Sequence, residues 1–177
     1  MNVRIVEVET GEPADAAIRK ESFALPSLQD GWRFNFAKLS KRLKHTVTYV
    51  LVTEEAPEII EGCLIFQLFD GIVPYGAFIE IAPHNRGDQK KYEGVAGCLI
   101  AYACWLSLEK GTGDYRGQLY FDVKEEKKED EVKLMANYSV KYGAKRLADT
   151  TTMLIDEAEG FELIKKYLYW DGNAQNN

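Results

Sequence analysis

The chain has 177 residues, of which 46% are hydrophobic, 12% aromatic and 28% charged. This composition is typical of one soluble globular domain and excludes collagen-like, disordered and membrane-embedded chains. The 22 lysines and arginines against 28 aspartates and glutamates give a net charge of −6 with no dense basic stripe, so we expect no nucleic-acid partner.

The first third of the chain predicts two strands that flank two short helices. Residues 3–8 alternate apolar with charged side chains, and Thr46–Thr53 is rich in β-branched and aromatic residues, so both are predicted as strands. Between them we predict helices over residues 15–23 and 34–43, because apolar residues of the second segment recur at helical spacing. A turn-prone stretch, residues 26–31, separates the two helices.

The middle third predicts three more strands around one long helix. Residues 59–69 and 77–82 are apolar runs bounded by glycine and proline, and they are predicted as the third and fourth strands. A polar, turn-rich loop over residues 83–93 leads into a helix over residues 94–110. Residues 118–123 are predicted as the fifth strand.

The last third predicts a helix, two short strands and a final helix. The first of these helices covers residues 127–142 and ends at a glycine suited to a left-handed cap. Its expected buried residues are Val132, Met135, Ala136 and Val140. Residues 144–147 and 151–155 are predicted as strands, and Asp156 is suited to cap a helix that continues to Tyr169.

The predicted order of elements is β-α-α-β-β-β-α-β-α-β-β-α. This order indicates a mixed α/β fold without internal repeats or a domain boundary. Residues 1–170 are expected to form one domain, and residues 171–177 a flexible carboxyl-terminal tail.

The cysteines and the amino terminus predict where the protein resides. Three cysteines, an odd number, each lie inside an apolar run, where a buried free thiol fits best: Cys63, Cys98 and Cys104. The amino terminus is charged and alternating, unlike a secretory signal, and the longest uncharged run, residues 94–108, is too short to span a membrane. We therefore expect a cytoplasmic protein without a membrane partner.

The loop after the fourth strand has the features of an anion site. A strand, a polar loop and the start of an uncharged helix aim backbone N–H groups at an anion, and the helix terminus adds partial positive charge. Arg86 and Lys91 supply cations, while Gly94 and Ala96 are small enough for a diphosphate to approach the main chain. The segment matches neither a Walker loop nor a full dinucleotide fingerprint. The alternative reading is tight packing of a helix on a sheet.

This segment resembles the acetyl-CoA signature of the GNAT acetyltransferase superfamily, Gln/Arg-x-x-Gly-x-Gly/Ala, which here reads Lys91-x-x-Gly94-x-Ala96. The resemblance covers roughly residues 46–147 and includes residues 79–86 before the loop. It implies a central, mixed and mostly antiparallel sheet of six to seven strands, splayed between strands four and five and flanked by helices.

The resemblance also implies a function. Acetyl-CoA would be the co-substrate and would lie in the cleft between the splayed strands, and its acetyl group would pass directly to a primary amine of a small molecule or protein. The implied cofactor contacts lie on the fourth strand, the loop, the helix start and the later helix: Ile81, Ala82, Arg86, Lys91, Tyr92, Glu93, Gly94, Val95, Ala96, Gly97 and Asn137. Asn137 stands in for an asparagine of many relatives, whose place is taken by Glu131.

Three residues are candidates for the proton transfers that acetyl transfer needs. Glu80 and Asp122 are the odd charges of the fourth and fifth strands, so either is a candidate base if both face the same groove; the alternative is that each faces solvent. The resemblance implies a tyrosine acid four residues before Gly143. That position holds Ser139, so its neighbour Tyr138 is the candidate acid, with a packing role as the alternative.

The acceptor side is less defined. The resemblance places the acceptor against the loop between the first two helices and the last strand pair. That loop offers Phe23, Leu25, Leu28, Gln29, Asp30, Trp32 and Phe34. The acidic net charge mildly favours a cationic amine. His45 and His84 have no ligand partner at metal spacing, so no metal is predicted.

Two other functions stay open at this stage. One is a non-catalytic GNAT-fold module that binds CoA or a protein partner, which the departures at Lys91, Glu131 and Ser139 favour. The other is an unrelated α/β binding domain. A homodimer would use the terminal strands or the last helix, where three aromatic residues cluster: Tyr167, Tyr169 and Trp170.

Overall fold

The computed structural model describes residues 1–22, 24–125 and 127–168, and these form one nine-stranded sheet with four α-helices. The strands are β1 (Asn2–Glu7), β2 (Pro13–Lys20), β3 (Thr46–Thr53), β4 (Ile60–Phe69), β5 (Val73–Ile81), β6 (Tyr92–Glu93), β7 (Leu119–Asp122), β8 (Lys145–Arg146) and β9 (Thr152–Ile155). The helices are α1 (Phe36–Arg42), α2 (Val95–Lys110), α3 (Lys128–Tyr142) and α4 (Glu157–Tyr167). The predicted tail, the end of the last helix at Tyr169, and Phe23 lie outside the described residues.

The strands are arranged in the order β6-β1-β2-β3-β4-β5-β7-β9-β8. Every neighbouring pair is antiparallel except β5 and β7, which are parallel. The predicted mixed, mostly antiparallel sheet is therefore confirmed. It has nine strands rather than six or seven, because β2 and the two-residue β6 join the seven strands that the sequence pattern predicts.

The prediction of a helix over residues 15–23 is wrong, since β2 occupies most of that segment. Ala16 and Ile18 are buried at alternate positions, and β2 is paired with β1 on one side and with β3 on the other. Alanine favours helices by less than 1 kcal/mol per residue over most other residues. Two flanking ladders of backbone hydrogen bonds outweigh that preference.

The sheet has helices on both faces. The main core lies on one face, where α2 packs against β4 and β5 and α4 packs against α2. All three cysteines are buried and free, as predicted. On the other face α1 and the preceding loop cover a smaller core, in which Trp32 and Phe36 meet side chains of β3 and β4. None of the helices in the described ranges is long and apolar enough to cross a bilayer.

Helix α3 turns a different face to the core than the sequence pattern predicts. Met135 is buried as expected, but Ala136 is exposed, Val132 is 52% exposed and Val140 is 89% exposed. Glu131 and Tyr142 take the inward positions instead. One helical position rotates a side chain by about 100°. Hydrophobic patterning places Glu131 on the solvent side of the helix. It can be buried because its carboxylate forms an ion pair with Lys128.

The sheet opens between β5 and β7. These two strands are joined at a single residue pair, Tyr75 with Tyr120. A register shift between β4 and β5 at Ile65 and Phe66 leaves Ala77 as an extra residue in β5, next to this point. Beyond it the two strands diverge, which confirms the predicted splay between the fourth and fifth strands of the sequence pattern.

Helix α4 begins as predicted, with Asp156 as its N-cap. The Asp156 side chain accepts a hydrogen bond of 3.1 Å from the Glu159 amide and is also paired with Lys145. We expect Asp156→Ala to lower the free energy of unfolding by about 1 kcal/mol, because the amide loses its acceptor. Asp156→Asn keeps the acceptor and should lose less. Urea denaturation of the three proteins at pH 7 measures both differences.

The same substitution has a defined pH dependence. Lys145 and the Glu159 amide hold the pKa of Asp156 below its ordinary value. Its contribution is therefore present above the unfolded-state pKa of about 3.9 and is lost as pH falls through the folded-state pKa. The stability difference between wild type and Asp156→Ala should shrink below about pH 4. A difference that stays constant down to pH 3 would contradict this assignment.

Candidate functional site

The open edge of β5 carries main-chain groups that no strand covers in the described chain. Ala82 donates its N–H to the Glu61 carbonyl at 2.9 Å, and Ile81 lies opposite Gly62 in the antiparallel ladder. Because backbone groups alternate sides along a strand, the N–H and C=O groups of Ile79 and Ile81 point away from β4 and into the gap toward β7. This edge can therefore bind an extended, amide-containing chain.

Two of the predicted main-chain positions on this segment are already engaged. Both main-chain groups of Ala82 are used within the fold, since its carbonyl accepts from the Asn85 amide. The Ile81 carbonyl accepts two hydrogen bonds from the Arg86 guanidinium, at 2.9 and 3.1 Å. The groups that remain on the open edge are thus the Ile81 N–H and both main-chain groups of Ile79.

The start of α2 has backbone amides without an acceptor inside the helix. Gly94 is the N-cap, with a φ of 89° and no side chain to cap the helix. The first hydrogen bond within the helix runs from the Cys98 amide to the Gly94 carbonyl. The amides of Val95, Ala96 and Gly97 therefore have no acceptor within the helix, and together with the helix dipole they form an anion site.

The predicted small residues at this helix start have different roles. Ala96 lines the cleft, but Gly97 faces α4, where a Cβ would lie 2.3 Å from the Tyr167 ring. Gly97 is therefore needed for packing between α2 and α4. Tyr167, one of the three aromatic residues considered for a dimer surface, lies in this contact, and the other two lie outside the described residues.

A cleft of about 590 Å³ lies between the start of α2 and the carboxyl-terminal half of α3. It brings together three residues that the sequence predicts from distant segments: Ala96, Asn137 and Tyr138. It is also lined by Lys141, which the sequence analysis did not identify. The signal that could have found Lys141 is its position three residues after Tyr138, on the same side of a helix.

Lys91, the cation of the signature, lies elsewhere. Its ammonium is 4.9 Å from the centre of the Tyr92 ring. A hydrogen bond with Tyr92 and the carboxylates of Glu61 and Glu7 raise the pKa of Lys91. Glu93 is paired with β1 through its main chain, so Lys91, Tyr92 and Glu93 support the loop, and Lys141 is the cation on the cleft.

Glu80 is an anchor between β5 and the loop before α1. Its side chain is 6% exposed. Its two oxygens accept from the backbone amides of Arg33 at 2.7 Å and Phe34 at 3.1 Å, and Arg86 donates a further hydrogen bond. The solvent-facing alternative is therefore wrong for Glu80. These donors occupy the carboxylate with structural contacts.

Asp122 lies on the same side of the sheet but is also engaged. It accepts a hydrogen bond from Thr152 at 2.7 Å and is paired with Lys124 at 3.3 Å. Burial alone would raise the pKa of Asp122, but the hydrogen bonds from Thr152 and Tyr75, together with Lys124, outweigh burial and lower it. A lowered pKa makes Asp122 a weak base.

Tyr138 faces the cleft, whereas Ser139, at the position of the family tyrosine, is exposed to solvent. The Tyr138 ring packs against Phe121 with the ring centres 5.1 Å apart. Burial raises the pKa of the Tyr138 phenol, and the carboxylate of Glu125 raises it further. The phenol is thus held protonated beside the open strands.

Sequence reasoning missed Glu125, which lies just after β7. Its carboxylate forms two parallel hydrogen bonds with the Arg33 guanidinium, at 2.6 and 3.1 Å. These residues are 92 positions apart, and no local pattern indicates that they meet.

The acceptor loop predicted from the sequence lines a second pocket of about 450 Å³ at the end of β5. Leu25 and Trp32 contribute to it, and so does His84, whose imidazole is 2.6 Å from the buried Glu61 carboxylate. Leu28 is 60% exposed and Phe34 packs against Phe78.

The described residues hold no group of three or more histidine, cysteine, aspartate or glutamate side chains arranged for a metal ion.

Comparison with known proteins identifies the fold. No protein-family model matches the chain, and no curated protein matches it. The KacTA–DNA complex shares 13% identity over 85% of this chain and 99% of the other, with a TM-score of 0.58. A Desulfovibrio desulfuricans protein described as a GNAT-family acetyltransferase shares 12% identity over 80% of this chain and 99% of the other, with a TM-score of 0.53. AtaTR bound with acetyl-CoA shares 17% identity over 84% of this chain and 97% of the other, with a TM-score of 0.51. These likenesses show a shared fold.

The anchoring role of Glu80 predicts a large loss of stability on truncation. Glu80→Ala leaves two backbone amides without their acceptor and removes the carboxylate partner of Arg86, and we expect it to lower the free energy of unfolding by about 3 kcal/mol. Glu55→Ala, at an exposed carboxylate, is the matched control and should change stability little. Chemical denaturation measures both. An unchanged stability together with lost turnover would instead assign Glu80 to catalysis.

Proposed function

We propose that this chain, which has the fold of the GNAT-family acetyltransferases, is an acetyl-CoA-dependent N-acetyltransferase. The observation that carries the proposal is the cleft between the uncapped start of α2 and Tyr138 of α3, in a protein whose sheet opens between β5 and β7. The acetyl-CoA present in the AtaTR structure supports the choice of co-substrate. The proposed acceptor is a primary amine of a small molecule or protein, and the net charge of −6 disfavours binding to a phosphate backbone.

In this proposal acetyl-CoA binds along backbone N–H and C=O groups of α2 and β5 that are not used in helix or strand pairing. Its diphosphate would accept hydrogen bonds from the amides of Val95, Ala96 and Gly97, with Lys141 as the nearby cation. Its pantetheine arm has two amides, which suit the open main-chain groups of Ile79 and Ile81 on β5.

Acetyl transfer then proceeds by direct attack. The neutral amine nitrogen attacks the thioester carbonyl carbon, the carbon–sulfur bond breaks, and the departing thiolate takes the Tyr138 proton. The attacking nitrogen releases a proton, which returns to the Tyr138 phenolate through water. The pKa of Tyr138 lies above the ordinary tyrosine value, so the phenol is protonated at neutral pH and has a proton to give to the thiolate.

The acceptor ammonium must first lose a proton, and we assign that proton to water. The Glu80 carboxylate is occupied by three donors, and the lowered pKa of Asp122 weakens it as a base. Proximity and orientation of the two substrates supply much of the rate enhancement in such a transfer.

A non-catalytic CoA-binding module is the second candidate function. The observation that favours it is the Arg86 guanidinium on the Ile81 carbonyl, which takes a main-chain acceptor that the pantetheine arm would otherwise use. Saturable acetyl-CoA binding without transfer to any of a broad panel of amines would select this function.

The cofactor site is tested by Ala96→Glu. Ala96 lines the cleft beside the free amides, so a carboxylate there repels the diphosphate, and we expect the affinity for acetyl-CoA to fall about tenfold or more. Isothermal titration calorimetry measures it. The matched control is Ala136→Glu, the same change on the exposed side of α3, which should bind like wild type. Absence of binding by the wild type would reject the proposed function.

The proposed acid is tested by Tyr138→Phe. We expect kcat to fall about 100-fold, while the affinity for acetyl-CoA stays unchanged, because the ring and its packing remain. Tyr115→Phe, at a residue 41% exposed, is the control. Since the pKa of Tyr138 lies above the ordinary tyrosine value of 10.0, wild-type kcat should not decline between about pH 7 and 9 through loss of this acid. A Tyr138→Phe variant with full turnover would remove Tyr138 from the mechanism.

A further inference from the structure

The Glu125 carboxylate, near the opening between β5 and β7, forms an ion pair with a cation of the protein itself, Arg33. Glu125 follows β7 on the side where β7 diverges from β5, and the Arg33 guanidinium lies against it in a two-point contact at 2.6 and 3.1 Å. Arg33 belongs to the loop that Glu80 of β5 holds through its backbone amides. The ion pair therefore crosses from one splayed strand to the other.

This carboxylate lies near the chemistry of the proposed transfer. It is close enough to Tyr138 to act on that phenol electrostatically, and Tyr138 lines the cofactor cleft. The two faces of the sheet thus meet at Glu125, with the proposed acid on one side and the acceptor loop on the other.

In the ion pair between Arg33 and Glu125, the arginine is the more exposed residue. The Glu125 side chain is 17% exposed and the Arg33 side chain is 53% exposed. An ion pair with a half-exposed partner contributes little to stability, since solvent screens it and the long arginine side chain loses rotamer freedom. Another guanidinium or ammonium group can therefore replace Arg33 at a small cost in free energy.

Among the three carboxylates described around this opening, Glu125 is the one suited to such an exchange. Glu80 is held by Arg86 and the loop backbone, and Asp122 by Thr152 and Lys124. Both are integrated in the fold, whereas Glu125 has its cation on the solvent side.

We propose that Glu125 binds a second cationic group of the acceptor, whose place Arg33 takes in the unliganded protein, so that the acceptor is a dibasic amine. This inference rests on the proposed function. The cation at Glu125 is the remote one rather than the reacting nitrogen, because a carboxylate stabilises the protonated amine, which cannot attack a thioester. A dibasic acceptor supplies one neutral nitrogen for attack and one cation for recognition.

The test is a binding comparison between two amines that differ in one group. Guanidinobutylamine and butylamine have the same four-carbon chain, but only the first has a second cation. With the protein saturated by CoA, we expect calorimetry to show about tenfold tighter binding of guanidinobutylamine to wild type. Glu125→Gln should reduce this preference to about twofold or less, since the amide lacks the charge.

Two further variants complete the design. Glu129→Gln makes the same change at an exposed carboxylate in the first turn of α3 and should keep the full preference. Arg33→Ala removes the competing cation and should tighten binding of guanidinobutylamine without tightening that of butylamine. Weaker binding of guanidinobutylamine to Arg33→Ala would contradict the exchange even if Glu125→Gln failed to fold.

The outcomes separate this inference from the proposed function. Equal binding of the two amines by wild type, or a preference that survives Glu125→Gln, overturns the role of Glu125 whether or not acetyl transfer occurs. A preference that depends on Glu125, in a protein that acetylates neither amine, supports the recognition site and rejects the transferase.

Discussion

The organisation of this protein depends on the meeting of β5 and β7 at one residue pair, Tyr75 with Tyr120. Parallel strands need a crossover connection, and here α2 makes that crossover. The helix begins beside the carboxyl end of β5, since Val95 lies against Gly62, the residue opposite Ile81, and its amino terminus has the positive end of the helix dipole. Full pairing of β7 along β5 would cover the edge that carries the free groups of Ile79.

Three carboxylates around this gap show how the same chemical group takes different roles according to its surroundings. Glu80 receives donors from the backbone and from Arg86 and joins the loop to the strand. Asp122 ties β7 to β9 through Thr152. Glu125 is left with a partner on its outer side. Charge count alone would treat these residues as equivalent, whereas their donors separate them.

The sequence predicts most of the fold and the two helix segments that line the candidate cleft, and the limits of that prediction have physical reasons. Local patterns indicate α2 and its uncapped start at Gly94, because spacing and small residues are read within a few positions. The strand at Ala16 is set by its neighbours in the sheet, and local propensity cannot report them. Which face of α3 is buried depends on the ion pair with Lys128, which allows Glu131 to be buried.

Contacts between distant segments account for the rest of what the sequence did not predict. The pairing of Arg33 with Glu125 joins residues 92 positions apart. Lys141 becomes a cleft residue because α3 is packed beside the start of α2. Two donors to Glu80 come from the loop before α1, 47 and 46 positions away in the sequence. Hydrophobic period and motif spacing contain no information on such pairs.

The start of α2 is assembled from segments made early and late in translation. Glu93, just before the helix, is paired with Val6 of β1, and Gly97 is packed under Tyr167 of α4. On a ribosome, β1 and α2 emerge well before α4, so Gly97 lacks its aromatic cover until the chain has been made through Tyr167. A nascent chain held before that point would lack this packing, so the start of α2 reaches its final surroundings only after the last helix has been made.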